Sequence, residues 1–142
     1  MKRLFTALLQ ELDSGHSAVL CGIVASQGST PRGAGAKMLV LDDGDTIGTI
    51  GGGAVEYRAA RMAVELLEKK ESRFESYRLT PGDAADVGMI CGGDIRVYFQ
   101  YFDPADRAAR TALEDALALL DAPGPSWLVT AMDGRGWRMG TC

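Results

Sequence analysis

The sequence has few of the residues on which many small catalytic or metal-binding domains depend. It contains three cysteines, one histidine and two tryptophans among 142 residues. Three widely spaced cysteines do not form a disulfide framework, and with one histidine they argue against a structural zinc site. A lone histidine so near the N-terminus also leaves no Ser/His/Asp or Cys/His arrangement for nucleophilic catalysis.

Long apolar runs and an excess of positive charge are also missing. No stretch reaches the ~20 apolar residues that cross a bilayer. The 15 basic and 19 acidic residues give a net charge of −4, which argues against a wide nucleic-acid groove. The opening fifteen residues resemble a signal peptide, but Glu11 and Asp13 interrupt the apolar stretch and no small-residue cleavage site follows. We therefore expect a cytoplasmic protein with a single domain over residues 1–142.

Glycine, by contrast, is present in excess. The chain has 18 glycines, where the usual frequency of about 7% predicts roughly ten. Nine of them lie between Gly22 and Gly53, so the excess is local. A local cluster of glycines indicates special loops rather than a repetitive or disordered chain.

The pattern of apolar residues predicts three helices and six or seven strands. Helical spacing covers the first twelve residues, the stretch after Gly53, and the stretch after Asp103 and Pro104, which resemble an N-cap and a first helical position. Alternating or continuous apolar residues predict strands at 18–25, 37–41, 46–50, 73–79, 95–101, 127–132 and 137–139. These elements predict an α/β domain of α+β character, with a mixed sheet packed against the helices.

The first glycine-rich loop, residues 28–36, directly follows a buried strand. Its glycines expose backbone N–H groups, and the hydroxyls of Ser29 and Thr30 add donors. The planar guanidinium of Arg32 suits a phosphate or a carboxylate. The loop is therefore a candidate anion site, and an ordinary surface loop of turn residues is the alternative.

The second segment, Gly51, Gly52 and Gly53, joins a strand to a helix. Three glycines allow a ligand to approach the backbone at the positive N-terminal end of that helix. The spacing is neither that of a P-loop nor that of a dinucleotide fingerprint. Glu56, in the first helical turn, favours the macrodipole by about 0.3–1 kcal/mol without any further role. A tight strand-to-helix turn is the alternative for the whole segment.

The third segment, residues 89–93, places Cys91 before Gly92 and Gly93 at the mouth of a strand. Thiolate nucleophiles and soft-metal ligands need the exposure that this position favours. Cys21, within an apolar strand, is interpreted as a small buried hydrophobic residue. The lone His16, at a helix–strand junction, is interpreted as incidental.

Four motifs together, at residues 28–32, 35–40, 48–56 and 89–93, resemble the N-terminal domain of the XdhC/CoxI family in order and spacing. The resemblance covers roughly residues 5–102. It implies an accessory protein for molybdenum hydroxylases such as xanthine dehydrogenase and carbon monoxide dehydrogenase. Such a protein binds molybdenum cofactor, supports its sulfuration and inserts it into the apo-enzyme, and is a carrier rather than a turnover enzyme.

The resemblance also implies a set of residues that hold molybdopterin as cargo, with no catalytic residue. The phosphate lies on glycine backbone and Arg32, while Cys91 faces the molybdenum or its exchangeable sulfur and is the expected metal ligand. The sequence departs from the family at Ala54, where many relatives have His or Cys, and at Gln100, where Glu is frequent. The expected cofactor-binding residues are Ser29, Thr30, Arg32, Gly51, Gly52, Gly53, Glu56, Cys91, Gly92 and Gly93.

The expected partners are an apo-molybdenum hydroxylase of the xanthine dehydrogenase type and a cysteine desulfurase, with no nucleic acid or membrane. Most relatives continue into a C-terminal Rossmann-like domain, so the chain is expected to be a shortened form or a short stand-alone member. We also expect a homodimer, because the apolar strand at 95–102 would need covering at a sheet edge. Two alternatives stay open: a cysteine-dependent sulfur-transfer enzyme using Cys91, and a non-catalytic scaffold or oligomerisation domain.

Overall fold

A computed structural model describes residues 1–28, 30, 32–79 and 93–132, together with the backbone of residues 137–141. Within these residues the chain forms three helices and seven strands. In chain order the elements are α1 (Lys2–Asp13), β1 (Ala18–Gln27), β2 (Lys37–Leu41), β3 (Thr46–Gly48), α2 (Gly53–Lys69), β4 (Arg73–Arg78), β5 (Asp94–Phe102), α3 (Arg107–Asp121), β6 (Ser126–Thr130) and β7 (Trp137–Thr141).

The strands of the described residues form two sheets. Five of them lie in the order β3-β2-β1-β5-β4, and β6 and β7 form a separate pair. The predicted α/β class with three helices is confirmed. The structure differs from the expected single mixed sheet in that each strand pairing is antiparallel. A tight turn joins β2 to β3, and such short connections favour antiparallel neighbours.

One face of the five-stranded sheet is covered by α2. Alternate side chains of β1, β2 and β5 point to this face, as the two-residue period of a strand requires. They form one apolar core with the buried stripe of α2. Its central members are Val19, Cys21, Ile23, Met38, Val40, Val97 and Phe99 from the strands, with Val55, Ala59, Ala63 and Leu66 from the helix.

The opposite face is covered by α1 and α3. Their buried residues pack on Leu20, Leu39 and Phe102 of the sheet. Arg110 of α3 joins the two helices, because its Nη2 donates to the carbonyl oxygen of Leu12 at 3.0 Å. The α1 and α3 residues of this second core are Leu4, Phe5, Leu8, Leu12, Ala109, Leu113 and Ala116.

The start of α3 lies later than the sequence predicts. The expected N-cap at Asp103 is wrong: Asp106 caps the helix, and its Oδ1 accepts hydrogen bonds from the N–H groups of Ala108 and Ala109 at 3.0 and 3.1 Å. Asp103 instead accepts from the N–H of Ala105 at 2.8 Å. An aspartate before a proline suits this local turn as well as a cap, so the sequence pattern alone does not separate them.

The strand β5 lies inside the sheet, between β1 and β4. The condition on which self-association was expected, that this apolar strand lies at a sheet edge, is not met, because both of its edges are hydrogen-bonded to neighbours. Its apolar residues reflect burial on both faces. Among the described residues, no helix is both long and apolar enough to cross a membrane.

Candidate functional site

The strand topology brings the three glycine-bearing segments to one end of the five-stranded sheet. The loop 28–36 leaves β1 after Gln27, which pairs with Asp94 at the start of β5. Gly93 immediately precedes Asp94, and β3 ends at Gly48 before the segment 51–53. We call this the glycine end. The opposite end, which contains the turn at residues 42–45, is called the turn end.

The backbone of the segment 51–53 has a conformation that favours glycine. The φ angles of Gly51, Gly52 and Gly53 are 137°, 78° and 61°, values at which a side chain is rarely tolerated. Gly52 is the N-cap of α2. Within the described residues, the N–H groups of Gly53 and Ala54 make no hydrogen bond, as is usual in a first helical turn. These exposed donors lie at the positive end of the helix and suit an oxyanion.

Glu56 holds this segment in place from inside α2. Its Oε2 accepts hydrogen bonds from the Oγ1 of Thr49 at 2.5 Å, the N–H of Gly52 at 2.8 Å and the N–H of Ile50 at 3.2 Å. The hydroxyl of Thr49 in turn accepts from the N–H of Gly51 at 3.0 Å. One carboxylate oxygen of Glu56 is thus engaged within the protein, and its contact with a cofactor stays a prediction.

The loop 28–36 is attached to β1 at its C-terminal part. The N–H of Gly35 donates to the carbonyl of Ile23 at 2.8 Å, and the N–H of Ile23 donates to the carbonyl of Ala36 at 2.9 Å. Thr30 is partly buried and Arg32 is exposed. Within the part of the chain that the structure describes, Arg32 makes no hydrogen bond or ion pair, so its guanidinium is available to a ligand.

The third segment is only partly within the described residues. Gly93 is buried, and its carbonyl accepts a hydrogen bond from the N–H of Leu79 at 2.8 Å, which joins the ends of β4 and β5. Ser29, Cys91 and Gly92 lie outside the described residues. The expected metal ligand Cys91 therefore stays a prediction.

Cys21 lies directly beneath the glycine end, in the core that α2 covers. It is fully buried, which confirms its interpretation as a small buried hydrophobic residue. Burial raises the pKa of the Cys21 thiol well above its ordinary value, and the nearby negative charge of Glu56 raises it further. A neutral, enclosed thiol is a poor nucleophile and a poor metal ligand.

The turn end carries the one histidine. His16 Nδ1 lies 3.2 Å from Glu11 Oε2, and together with Asp42 these residues bring three potential metal-ligand atoms within 4.8 Å of one another. His16 and Asp42 are exposed. A solvated ion pair accounts for the arrangement, and the group lies at the opposite end of the sheet from the glycine segments.

Sequence reasoning missed Lys37 as a functional candidate. Lys37 is the first residue of β2, where a lysine is ordinarily solvated, yet its side chain is partly buried and lines a small cavity. Gly22 pairs directly with Lys37 in the sheet. The pairing of Gly22 with Lys37 is what reveals the cavity. This pairing cannot be predicted from residue spacing alone.

Comparison with known proteins places this geometry in a family. Residues 11–78 match the model of the XdhC and CoxI family. The molybdenum cofactor insertion chaperone PaoD of Escherichia coli is 36% identical over 90 residues, which are 61% of this chain and 27% of PaoD. A Bacillus subtilis protein named as a probable xanthine dehydrogenase component is 31% identical over 119 residues, 82% of this chain and 36% of that protein.

A solved structure supports the same relationship over nearly the whole chain. A crystal structure of a xanthine dehydrogenase from Bacillus halodurans superposes with a TM-score of 0.68 and 26% identity, covering 94% of this chain and 40% of that one. The chain thus spans well under half the length of each of these three proteins. The matched motifs contain the loop 28–36 and the segment 51–53 described above. Residues 11–78 of the chain thus form a domain of the XdhC and CoxI family.

Proposed function

We propose that this chain is an accessory protein for molybdenum hydroxylases, which binds molybdopterin as cargo and delivers it into an apo-enzyme. Its relative PaoD is named as a molybdenum cofactor insertion chaperone, and two other relatives are named for xanthine dehydrogenase. The proposed partner is therefore an apo-molybdenum hydroxylase of the xanthine dehydrogenase type. A cysteine desulfurase is the proposed source of sulfur for the cargo, with both encounters in the cytoplasm.

The observation that carries this proposal is the construction of the glycine end. The N–H groups of Gly53 and Ala54, which have no partner among the described residues, lie at the N-terminus of a helix of 17 residues. The loop with Arg32 meets the same end of the sheet. A molybdopterin phosphate needs both backbone donors and a cation, and helix N-termini with arginine supply them.

The proposed roles divide between contact and support. Arg32, the hydroxyls of Ser29 and Thr30, and the backbone of residues 51–53 would hold the phosphate. Glu56 would support the segment 51–53 by accepting hydrogen bonds from Gly52 and from Thr49 and Ile50, which precede the segment. Cys91, followed by Gly92 and Gly93, would ligate the molybdenum or its exchangeable sulfur, because thiolate is a soft ligand.

Uptake of molybdopterin by the purified protein tests the proposal. Pterin fluorescence reports the cofactor, and metal analysis of the same sample reports molybdenum. We expect Arg32→Ala to weaken pterin binding about 10- to 150-fold, since a charged hydrogen bond contributes about 1.5–3 kcal/mol. We expect Cys91→Ser to release molybdenum. Arg107→Ala, an exposed arginine at the turn end, is the matched control and should bind normally.

The same pterin and molybdenum measurements also give the results that would contradict the proposal. Failure of the unmodified protein to take up pterin would reject cargo binding, and equal binding by the Arg32 and Arg107 variants would reject the glycine end as its location. Undiminished molybdenum retention by Cys91→Ser would remove Cys91 as a ligand. A mass increase of one sulfur atom on Cys91 after treatment with a sulfurtransferase would instead favour the sulfur-transfer alternative.

Self-association also stays a proposal. Because β5 is internal to the sheet, an exposed apolar edge is not a reason to expect self-association. Light scattering over a range of protein concentrations measures it directly. A dimeric mass would support a homodimer, whereas a monomeric mass at high concentration would contradict it.

A further inference from the structure

A small cavity lies on the face of the five-stranded sheet opposite α2. It has a volume of about 30 Å³ and a mixed lining of apolar and polar side chains. Among the described lining residues, Lys37 is the charged one and none carries a carboxylate. The lining residues are Leu20, Gly22, Val24, Lys37, Tyr98, Gln100, Thr130 and Met132.

The sheet register creates this cavity at one position in β1. Gly22 pairs with Lys37 of β2 on one side and with Tyr98 of β5 on the other. A Cβ atom at residue 22 would lie 3.2 Å from Lys37 Nζ, a distance that requires the ammonium group to move. A glycine inside a strand weakens it and often marks a close approach to a ligand or another group. Because Gly22 has no side chain, the ammonium group of Lys37 can occupy the space beside it.

The ammonium group of Lys37 has no compensating charge among the residues that the structure describes. Among the described residues, Lys37 Nζ makes no hydrogen bond and no ion pair. Burial lowers the pKa of Lys37, and no neighbouring charge contributes to the shift. Buried or partly buried charges in proteins are ordinarily paired, because removing an ion from water is costly. Within the described part of the chain, no anion balances the ammonium group in this cavity, although its partial burial favours one.

The surroundings of the cavity favour an anionic ligand over a cationic one. Arg96 lies on the same face of β5, and its guanidinium is stacked over the ring of Phe74 at 4.7 Å. Phe74 in turn contacts Tyr98, with ring centroids 4.7 Å apart. Positive charge is therefore found both inside the cavity and beside it. Thr130, from β6, also lines the cavity and carries a hydroxyl that can donate a hydrogen bond.

We propose that this cavity is a binding site for a compact oxyanion group, a carboxylate or a phosphate, held by Lys37 Nζ with the Thr130 hydroxyl as a second donor. A space of this size accommodates a single small polar group, so the rest of a larger ligand would extend outside. Lys37 begins β2 at the glycine end, but the cavity lies on the opposite face of the sheet from the segment 51–53, which leads into α2.

Thermal unfolding in the presence of anions tests this site. Inorganic phosphate and acetate are titrated separately against the full chain, with sodium chloride keeping the ionic strength constant. We expect one or both anions to raise the Tm, because a ligand that binds only the folded state stabilises it. A response to acetate alone identifies a carboxylate site, and a response to phosphate alone identifies a phosphate site.

Three variants locate the effect. Lys37→Met keeps most of the side-chain length without the charge, and we expect it to weaken the anion response about 10- to 150-fold in concentration, as the loss of a charged hydrogen bond predicts. Gly22→Ala displaces the ammonium group and should weaken the response as well. Lys69→Met, at an exposed lysine in the last turn of α2, is the matched control and should respond like the unmodified chain.

The possible results separate this site from the proposed cofactor site. Equal anion responses of the unmodified chain and Lys37→Met would overturn the inference. So would a response that Arg32→Ala abolishes and Lys37→Met retains, since the anion would then bind at the glycine end. The absence of any response in the unmodified chain would also overturn it, with water alone as the occupant. None of these results bears on molybdopterin uptake, which is measured separately.

Discussion

The two ends of the five-stranded sheet use their polar backbone groups in different ways. At the turn end, the N–H of Leu41 donates to the carbonyl of Asp45 at 2.9 Å, and the carbonyl of Leu41 accepts from the N–H of Gly44 at 3.0 Å. Asp43 closes the turn by accepting from the N–H of Asp45 at 2.9 Å. These three hydrogen bonds close the turn within residues 41–45.

At the glycine end, the chain instead leaves donors exposed and organises them from a distance. Glu56 reaches back from α2 to the residues before it, while the N–H groups of Gly53 and Ala54 stay without partners in the described part of the chain. Both ends contain glycines with positive φ, so glycine content does not separate them. We therefore base the proposed ligand site on exposed N–H groups that are held in place, and not on glycine content.

The largest predicted effect distinguishes glycines at the two ends. Gly48 and Gly44 have similar φ angles of 84° and 89°. A Cβ at Gly48 would lie 2.7 Å from the carbonyl oxygen of Lys37, whereas a Cβ at Gly44 would meet nothing within 4 Å. We expect Gly44→Ala to cost about 1–2 kcal/mol of unfolding free energy through backbone strain alone. Gly48→Ala should cost about 1–3 kcal/mol more, because it also forces backbone atoms apart.

Urea denaturation of the two variants measures this difference in unfolding free energy. A smaller loss for Gly48→Ala than for Gly44→Ala would show that the strand β3 shifts without cost. The close approach of Gly48 to β2 would then not be a reason for glycine at this position.

A smaller loss of unfolding free energy is predicted when the acidic residues that accept hydrogen bonds at the two ends are replaced. Glu56→Ala removes an acceptor of three hydrogen bonds and should cost about 1–3 kcal/mol, because partly buried donors lose their partner. Asp43→Ala removes one exposed hydrogen bond and should cost about 0.5 kcal/mol. Glu56→Gln keeps an acceptor oxygen and should lie between them.

The same denaturation measurement, combined with hydrogen exchange of the Gly52 amide, checks this prediction. Glu56→Ala should increase the exchange of that amide more than it changes exchange at the turn end. Equal losses for Glu56→Ala and Asp43→Ala would contradict the role of Glu56 as the group that organises the glycine end.

Much of the fold was accessible from residue periodicity. The strand predicted at 37–41 has the same bounds as β2, and the predicted helix after Gly53 is α2. Both have strong patterns: β2 is apolar at its centre, and α2 carries a regular buried stripe. Local signals of this strength predict local structure well, because each face is set by burial.

The errors arose where local patterns permit two structures. Asp103 with Pro104 fits a helix start or a turn, and only the structure places the cap at Asp106. The apolar strand β5 fits an exposed edge or an internal strand, and its neighbours decide between them. Neither neighbour is adjacent to β5 in a short hairpin, so the pairing depends on long-range contacts.

In the candidate site, too, local features were predictable from the sequence and long-range contacts were not. The sequence predicted three ligand-facing segments beside strand ends, but strand direction was needed to show that they meet at one end of the sheet. Lys37 was missed because its environment depends on Gly22 and Tyr98, which are distant from it in sequence. Contacts with Ser29, Cys91 and Gly92 stay predictions, since these residues lie outside the described ones.

Binding of the cofactor at the glycine end is best tested by amide chemical-shift mapping during an anaerobic molybdopterin titration. We predict saturable shifts for the amides of Gly51, Gly52, Gly53 and Ala54, accompanied by those of Arg32 and its loop. The amides of the turn at residues 42–45 should stay unchanged. Shifts confined to the turn end, with none at residues 51–54, would contradict the account.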